Sequence, residues 1–180
     1  MKRAVFLDRD GVLNEAMVRS GKPHPPHRME DFQLLPGVVE ACTVLRQAGF
    51  YLVVATNQPD VGRGELAREI VERMHTQLCE QLPIDRVEVC YDPGGEQSSE
   101  FRKPKPGMLL RAAHALDLNL KSSYMVGDRW RDIDCGHAAG CRTVFIDRGY
   151  EEPLREQPDL YATDLLAAAT LILSERDMER

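Results

Sequence analysis

Residues 4–14 read AVFLDRDGVLN, a short apolar run followed at once by two acids. Four apolar residues that stop at Asp8 are typical of a strand buried within a parallel sheet. Asp8 and Asp10 stand two positions apart beyond that strand, and Gly11 permits a turn, so both carboxylates can face one cleft. Two nearby acids separate their pKa values, as a nucleophile and a general acid require. For this motif alone an aspartate-rich turn remains an alternative, whereas the spacing of a calcium loop is missing.

The rest of the chain alternates apolar runs with helical periodicity. Runs at residues 51–55, 87–91, 124–126 and 143–146 predict further strands. Apolar periodicity predicts helices over residues 38–48, 65–82, 106–116, 132–139 and 162–173. This alternation predicts an α/β fold, a three-layer sandwich on a Rossmann-like parallel sheet of five or more strands. We expect a single domain over residues 1–180, with no cap domain because no insertion is long enough. Residues 14–35, rich in proline, are expected to form a long loop.

Composition and charge exclude several classes of function. The 180 residues carry a net charge of -6, which opposes non-specific binding of nucleic acid. No stretch is long and apolar enough to span a membrane, and too few apolar residues precede the first acid for a signal peptide. The five cysteines include no C-x-x-C pair, so we expect buried free thiols and a reducing, cytoplasmic compartment. A monomer suits the size of the chain.

Three more polar motifs follow the predicted strands. TNQ (residues 56–58) offers hydroxyl and amide groups that can hold phosphate oxygens. RKP (102–104) presents a lysine on a segment stiffened by proline, and GDRWRD (127–132) supplies acids beyond a strand. Asp8 and Asp128 would give the few hard oxygen ligands that Mg²⁺ takes from a protein. Each motif alone fits an ordinary strand end or solvated turn, but together at one sheet edge they indicate a ligand site.

The four motifs together resemble those of the haloacid dehalogenase superfamily. The resemblance rests on DxDGVLN (8–14), TNQ (56–58), RKP (102–104) and GDRxxD (127–132), and it runs from Arg3 to about Ile146. Within the superfamily the chain is similar to the histidinol-phosphatase-related branch, above all to its heptose 1,7-bisphosphate phosphatases of bacterial envelope sugar synthesis. This resemblance implies a Mg²⁺-dependent phosphatase that hydrolyses a small phosphomonoester through an aspartyl phosphate. The expected substrate is the 7-phosphate of the heptose bisphosphate.

The resemblance also implies roles for individual residues. Asp8 would be the nucleophile, and Asp10 would protonate the leaving alcohol and later activate water. Thr56 would bind the phosphoryl group, and Lys103 would neutralise Asp8 and the group in transfer. Mg²⁺ would be held by Asp8, the backbone carbonyl of Asp10, and Asp128.

Six further positions match supporting residues of the heptose enzymes. Asp132 would orient Lys103 or a metal-bound water. The positions that match substrate contacts are Asn57, Gln58, Arg63, Arg102 and Arg129.

The chain departs from this branch at the segment that holds zinc in its relatives. A Cys-x-His pair and a Cys-x-Cys pair are expected there, but this chain has CYD (residues 90–92) and SEF (99–101). One thiolate is too few for a closed zinc site, so we predict that no zinc binds. Residues 92–101 are then expected to be held by packing or not held at all. Residues 16–28 also differ, and their cations are either solvated or meet a second anionic group of the substrate.

Two alternatives to a heptose phosphatase remain at this stage. Histidinol phosphate or another sugar phosphate could be the substrate of the same chemistry. A phosphate-accepting signalling module also uses acids, threonine and lysine on a parallel α/β sheet, although its accepting aspartate lies on a middle strand and its lysine comes last. The order of motifs in this chain favours the phosphatase.

Overall fold

A computed structural model describes residues 2–178 of the chain. Within them the strands are β1 (Ala4–Leu7), β2 (Met17–Arg19), β3 (Lys22–His24), β4 (Tyr51–Asn57), β5 (Arg86–Cys90), β6 (Tyr124–Gly127), β7 (Arg142–Ile146) and β8 (Leu160–Ala162). The α-helices are α1 (Val38–Gln47), α2 (Pro59–Gly62), α3 (Arg68–Gln81), α4 (Gly107–Leu116), α5 (Trp130–Ala139) and α6 (Leu165–Met178). Short 3₁₀ helices cover Met29–Asp31 and Leu120–Ser122.

Six of the strands form one parallel sheet in the order β5-β4-β1-β6-β7-β8. β1 lies inside this sheet, where Phe6 is opposite Val53 of β4 on one side and Met125 of β6 on the other. The order places the carboxyl ends of β4, β1 and β6 next to one another, which is the edge where such sheets bind ligands. The predicted α/β fold is confirmed, and no cap domain covers the sheet within residues 2–178.

Helices cover both faces of the sheet, which explains why β1 is apolar throughout. Val5 and Leu7 point to one face and pack into a core with α1, α3 and α6, whereas Ala4 and Phe6 point to the other and pack with α4. All four side chains are fully buried, as expected of a strand covered on both faces. Among the helices of residues 2–178, none combines the length and apolarity needed to cross a bilayer.

The predicted loop over residues 14–35 contains a β-hairpin, so that prediction was wrong in part. β2 and β3 pair antiparallel, with Met17 opposite His24. Ser20 and Gly21 connect them with φ values of 50° and 71°, the backbone that a tight two-residue hairpin turn requires. Each strand has only three residues, and Pro23 cannot donate to a ladder. The sequence therefore carried no period-two signal for this hairpin.

Residues 92–101 are held by hydrogen bonds, whereas the expectation was a segment held by packing or not held at all. The Asp92 carboxylate accepts hydrogen bonds from the backbone N–H groups of Ser99 at 2.5 Å and Gly94 at 2.7 Å. These bonds lower the pKa of the Asp92 carboxyl. Arg102 Nη1 donates to the carbonyl of Asp92 at 2.6 Å. An ionised aspartate thus closes this segment immediately before the RKP motif.

Replacing Asp92 should loosen this segment. Asp92→Ala leaves two backbone N–H groups without their acceptor, so we expect amide hydrogen exchange at Gly94 and Ser99 to speed up about tenfold or more. Asp92→Asn keeps one acceptor oxygen and should lose less protection. A zinc chelator should leave exchange in the unaltered protein unchanged. Faster exchange with the chelator would show that zinc, not Asp92, closes the segment.

Candidate active site

Lys103 lies at the centre of the site, with its side chain only 3% exposed. Its ammonium Nζ is 2.8 Å from Asp8 Oδ1 and 2.6 Å from Asp132 Oδ1, and it donates to the carbonyl of Ala55 at 2.7 Å. These three acceptors match the three donors of an ammonium group, so the group is fixed in place. Asn57 anchors the same residue through its backbone, because its side-chain amide exchanges two hydrogen bonds of 3.1 Å with the N–H and carbonyl of Lys103.

Asp128 follows β6 and completes a cluster of three acids. Carboxylate oxygens of Asp8, Asp128 and Asp132 lie within 4.8 Å of one another. Within residues 2–178, neither buried oxygen of Asp128 has a well-directed hydrogen bond. Gly11 faces this carboxylate with φ at +88°, and a Cβ at that position would collide with Asp128 Oδ2. The glycine of the first motif therefore both turns the chain and makes room for the last acid.

The electrostatics of the cluster show an excess of negative charge. Burial, and then the neighbouring Asp132, raise the pKa of Asp8 to about 6, in spite of the ion pair with Lys103. Burial and the charge of Asp8 also raise the pKa of Asp128 well above its usual range. Burial acts to lower the pKa of Lys103, but Asp132 and Asp8 outweigh it and the pKa is raised. One ammonium therefore serves three carboxylates, and the site lacks positive charge.

Asp10 receives hydrogen bonds from three side chains. Its Oδ1 accepts from Arg9 Nη2 at 3.0 Å and from Asn14 Nδ2 at 2.9 Å. Its Oδ2 accepts from Gln58 Nε2 at 2.7 Å. The side chain of Asp10 is nevertheless 14% exposed and lines the cavity beside Asp8. Its orientation is fixed while one side stays open to a ligand.

The TNQ motif divides its residues between the cavity and the protein interior. Asn57 lines the cavity and holds Lys103, as described above. Thr56 and Gln58 are buried at 1% and 0% exposure, and Gln58 Nε2 donates to Thr56 Oγ1 at 2.9 Å. Gln58, predicted as a substrate contact, therefore contacts Asp10 and Thr56 and does not line the cavity.

A cavity of about 240 Å³ opens over Asp8, Asp10 and Lys103. The cations that line it are Lys22, Arg63, Arg102, Lys103, Arg129 and Arg131. Several already have anionic partners. Arg63 pairs with Asp60, and Arg129 Nε and Nη2 lie 2.7 and 2.8 Å from the two carboxylate oxygens of Glu152. Apart from Gln58, every predicted substrate contact thus lines this cavity, namely Asn57, Arg63, Arg102 and Arg129. Two of these cations, Arg63 and Arg129, are paired with carboxylates.

Comparison with known proteins places this geometry in a family. A family model described as HAD-hydrolase-like matches residues 100–168. The D-glycero-D-manno-heptose-1,7-bisphosphate 7-phosphatase of Thermosynechococcus vestitus is 38% identical over 191 residues, which cover 94% of each chain. The chain belongs to the haloacid dehalogenase family of phosphatases. The corresponding β-heptose phosphatase of Yersinia pestis is 36% identical over 156 residues, covering 81% of this chain and 80% of its own.

A solved structure extends the comparison to the fold of this phosphatase. The D,D-heptose 1,7-bisphosphate phosphatase of B. bronchiseptica, complexed with magnesium and phosphate, superposes with a TM-score of 0.79 at 28% identity. The match covers 97% of this chain and 99% of the other. Phosphatases of this family use Mg²⁺ and an aspartyl-phosphate mechanism.

The residues present in this phosphatase fit a magnesium ion. Mg²⁺ prefers hard oxygen ligands and takes only one or two carboxylates while keeping several waters. Asp128 offers two buried oxygens without a well-directed hydrogen bond, with the Tyr150 hydroxyl nearby and Asp8 beside it. A divalent cation would balance the two negative charges that Lys103 leaves uncompensated. Asp132 is the least available of the three acids, because it accepts from Lys103 and from the backbone N–H of Arg129 at 3.0 Å.

Several residues at the site escaped prediction from the sequence. Arg9 and His75 lie behind Asp10, and burial followed by the charge of Arg9 lowers the pKa of His75 to about 4. Arg131 lines the cavity and Glu152 pairs with Arg129. Lys22 also lines it, and it is one of the cations of residues 16–28 for which contact with a second anionic group was one of the two interpretations. One indication of these residues was present in the sequence: Arg9 lies between the two motif acids Asp8 and Asp10. His75 lies on a predicted helix, but helical periodicity does not indicate which polar side chain of the helix faces the site.

Mg²⁺ should stabilise the protein more strongly as pH rises through about 6. The raised pKa of Asp8 means that the metal-free fold loses stability between the unfolded value of 3.8 and the folded value of about 6, because ionising the buried acid then becomes obligatory. Bound Mg²⁺ removes that penalty. We expect the melting temperature with Mg²⁺ minus that with a chelator to grow from pH 5 to pH 7.

Asp128→Asn serves as the control for that measurement. It removes one of the crowded charges, so it should raise the melting temperature of the metal-free protein by several degrees, at about 2–4 °C per kcal/mol for a chain of this size. It should also abolish most of the Mg²⁺ effect. An unchanged Mg²⁺ effect in Asp128→Asn would place the metal elsewhere.

Proposed function

We propose that this phosphatase removes the 7-phosphate of D-glycero-D-manno-heptose 1,7-bisphosphate, with Asp8 as its nucleophile. The observation that supports the nucleophile is the contact of Lys103 with Asp8 beside the buried Asp128 carboxylate, whose oxygens have no well-directed hydrogen bond. A carboxylate with a lysine on one side and a cation site on the other can approach a phosphate without prohibitive repulsion. The likeness to the heptose phosphatases named above supports the substrate.

The proposed chemistry has two steps. First, a carboxylate oxygen of Asp8 attacks phosphorus, the bond from phosphorus to the sugar oxygen breaks, and Asp10 gives its proton to that oxygen. Second, Asp10 takes a proton from water, whose oxygen attacks phosphorus and releases inorganic phosphate from Asp8. Lys103 balances the charge on Asp8 throughout. Thr56 is proposed to hold a phosphoryl oxygen: although it is only 1% exposed, its hydroxyl accepts from Gln58 and keeps its own O–H to donate. General acid–base assistance of this kind contributes about 10²–10⁴-fold.

Positive charge is the other requirement of phosphoryl transfer. Asp8, the backbone carbonyl of Asp10, and Asp128 are proposed to hold Mg²⁺. When bound, the ion neutralises charge on the phosphoryl oxygens. Asp132 is proposed to fix Lys103, in accord with their 2.6 Å contact. No zinc is proposed, since the Asp92 carboxylate closes residues 92–101 by hydrogen bonds to backbone N–H groups.

The cavity walls support a substrate with more than one phosphate. Asn57, Arg63, Arg102 and Arg129 are proposed substrate contacts, whereas Gln58 is reassigned to holding Asp10. These cations gather on a chain whose net charge is -6, so they mark a site built for an anion.

Lys22 and Arg131 extend that positive wall beyond the predicted contacts. Within residues 2–178, no carboxylate pairs with Lys22. Arg131 Nη1 lies 3.2 Å from the Glu152 carboxylate that Arg129 also contacts, so two guanidinium groups share one carboxylate. Burial and the nearby charge of Arg129 lower the pKa of Arg131. A second phosphate on the substrate would supply the missing negative charge.

Substitution of the two motif acids tests the chemistry. Asp8→Asn should abolish turnover, because an amide cannot form the aspartyl phosphate. Asp10→Asn should lower kcat by about 10²-fold or more and should let phosphoenzyme accumulate, since the proton acceptor for the second step is lost. Steady-state rates and acid-quenched phosphoenzyme measure the two effects. Near-normal turnover by Asp8→Asn in Mg²⁺ would contradict the mechanism.

A panel of phosphate esters tests the substrate. The heptose 1,7-bisphosphate should give the highest kcat/KM, above histidinol phosphate and sugar monophosphates. Lys22→Met should lower kcat/KM for the bisphosphate by about tenfold, the worth of one charge-assisted hydrogen bond, with little change for monophosphates. Lys121→Met, at an exposed lysine outside the cavity, is the matched control.

Other outcomes of the panel have definite meanings. Equally poor rates on every ester would contradict the heptose assignment while leaving the phosphatase chemistry intact. Stable retention of phosphate on the protein without turnover would instead favour a phosphate-accepting signalling module.

A further inference from the structure

Arg9 is a fully buried cation located between the two acids of the first motif. Its side chain is 0% exposed, and its guanidinium lies along the carboxylate of Asp10. Nη2 is 3.0 Å from Oδ1 and 3.2 Å from Oδ2, and Nε is 3.2 Å from Oδ1. Such a two-pronged contact fixes the plane of a carboxylate as well as its position.

His75 of α3 holds the guanidinium from the other side. Arg9 Nη1 lies 3.2 Å from His75 Nε2. An arginine can only donate, so His75 Nε2 accepts and this histidine is neutral with its proton on Nδ1. Phe32 covers the group, with the guanidinium carbon 5.7 Å from its ring centroid. The side chain of Arg9 therefore points into the protein and does not line the cavity.

Stability alone explains this arrangement poorly. Taking a guanidinium fully out of water costs several kcal/mol, and an apolar side chain of similar volume usually serves a core as well or better. What only the guanidinium supplies at this place is directed hydrogen bonding to one carboxylate. That carboxylate belongs to Asp10, which faces the cavity beside Asp8.

We propose that Arg9, held by His75, is a positioning residue that fixes the Asp10 carboxylate at the angle from which it exchanges protons with the leaving alcohol and with water. This inference rests on the proposed role of Asp10 in the phosphatase reaction. Asn14 and Gln58 each hold one oxygen of Asp10, whereas Arg9 contacts both. Loss of Arg9 therefore removes the one group that bridges both oxygens and leaves each oxygen held by a single amide, so the carboxylate is oriented less tightly. A misplacement of about 1 Å at a reacting group costs roughly 10²-fold in rate.

A double-mutant cycle between Arg9 and Asp10 tests the proposal. Arg9→Met should lower kcat by about 10²-fold with little change in KM, because the substrate is not touched. In the Asp10→Asn background the same change should lower the residual kcat less than about twofold, since the group that Arg9 orients is already disabled. An equal loss in both backgrounds would mean that Arg9 only supports the fold, and would overturn the proposal.

Substitutions of His75 test the same link without touching the motif. His75→Gln keeps an acceptor oxygen for Arg9 and should retain kcat within about threefold, whereas His75→Leu should lose about tenfold or more. Equal kcat for the two variants would overturn the role of His75. The melting temperature of each variant, with and without Mg²⁺, checks that the fold and the metal site survive. If Arg9→Met does not fold, this pair carries the test.

Failure of this inference is distinguishable from failure of the proposed function. Unaltered kcat in Arg9→Met, with Asp8→Asn inactive, would overturn the positioning role and leave the phosphatase mechanism standing. Absence of turnover by the unaltered protein on every phosphate ester in Mg²⁺ would remove the basis for both.

Discussion

Burial of three carboxylates beside a single ammonium is the constraint on which this site depends. Asp8, Asp128 and Asp132 are at most 8% exposed, and Lys103 balances only one of their charges. The two charges left over raise the pKa of Asp8 and Asp128, since a buried anion without a counter-charge is costly. A divalent cation would cancel them. The placement of acids at the ends of neighbouring strands therefore both favours metal binding and destabilises the metal-free protein.

The lysine reaches those acids by a different route. Asp8 and Asp128 follow β1 and β6, which are neighbours in the sheet, but Lys103 comes after an irregular segment beyond β5. The end of β4 receives it: the Asn57 amide binds its backbone and the Ala55 carbonyl binds its ammonium. Asp92 closes the preceding segment. The position of one cation thus depends on polar contacts made by three separate parts of the chain.

The acids are placed by regular strands and the lysine by irregular segments, and this difference explains how much of the molecule could be predicted from the sequence. The strand before Asp8 and the acids at its end could be predicted from the sequence. Burial on both faces requires an apolar run, and that run ends at the first residue of the site. The hairpin of β2 and β3 could not be predicted, since three-residue strands have no period. Gln58 was assigned to the substrate because its position matches a substrate contact of the heptose enzymes, but its side chain turns inward to Asp10. Arg9 was overlooked because a sequence does not reveal which charges are buried.

Substrate specificity also depends on segments outside the regular strands, because the cleft is open. Because no cap domain covers the cleft within residues 2–178, loops must discriminate between substrates. The hairpin lines one wall of the cavity. It also contacts the segment after β7, where the Glu151 N–H donates to the Gly21 carbonyl at 3.3 Å. Arg63 and Arg129 on these walls are already held by the carboxylates of Asp60 and Glu152, so they lose little freedom when a ligand binds. An entering ester must outcompete those carboxylates for the guanidinium groups, which favours dianionic phosphates over weakly charged groups. The acids of the site are thus placed by the ends of regular strands, whereas Lys103 and much of the cavity wall depend on segments whose sequences carry no periodic signal.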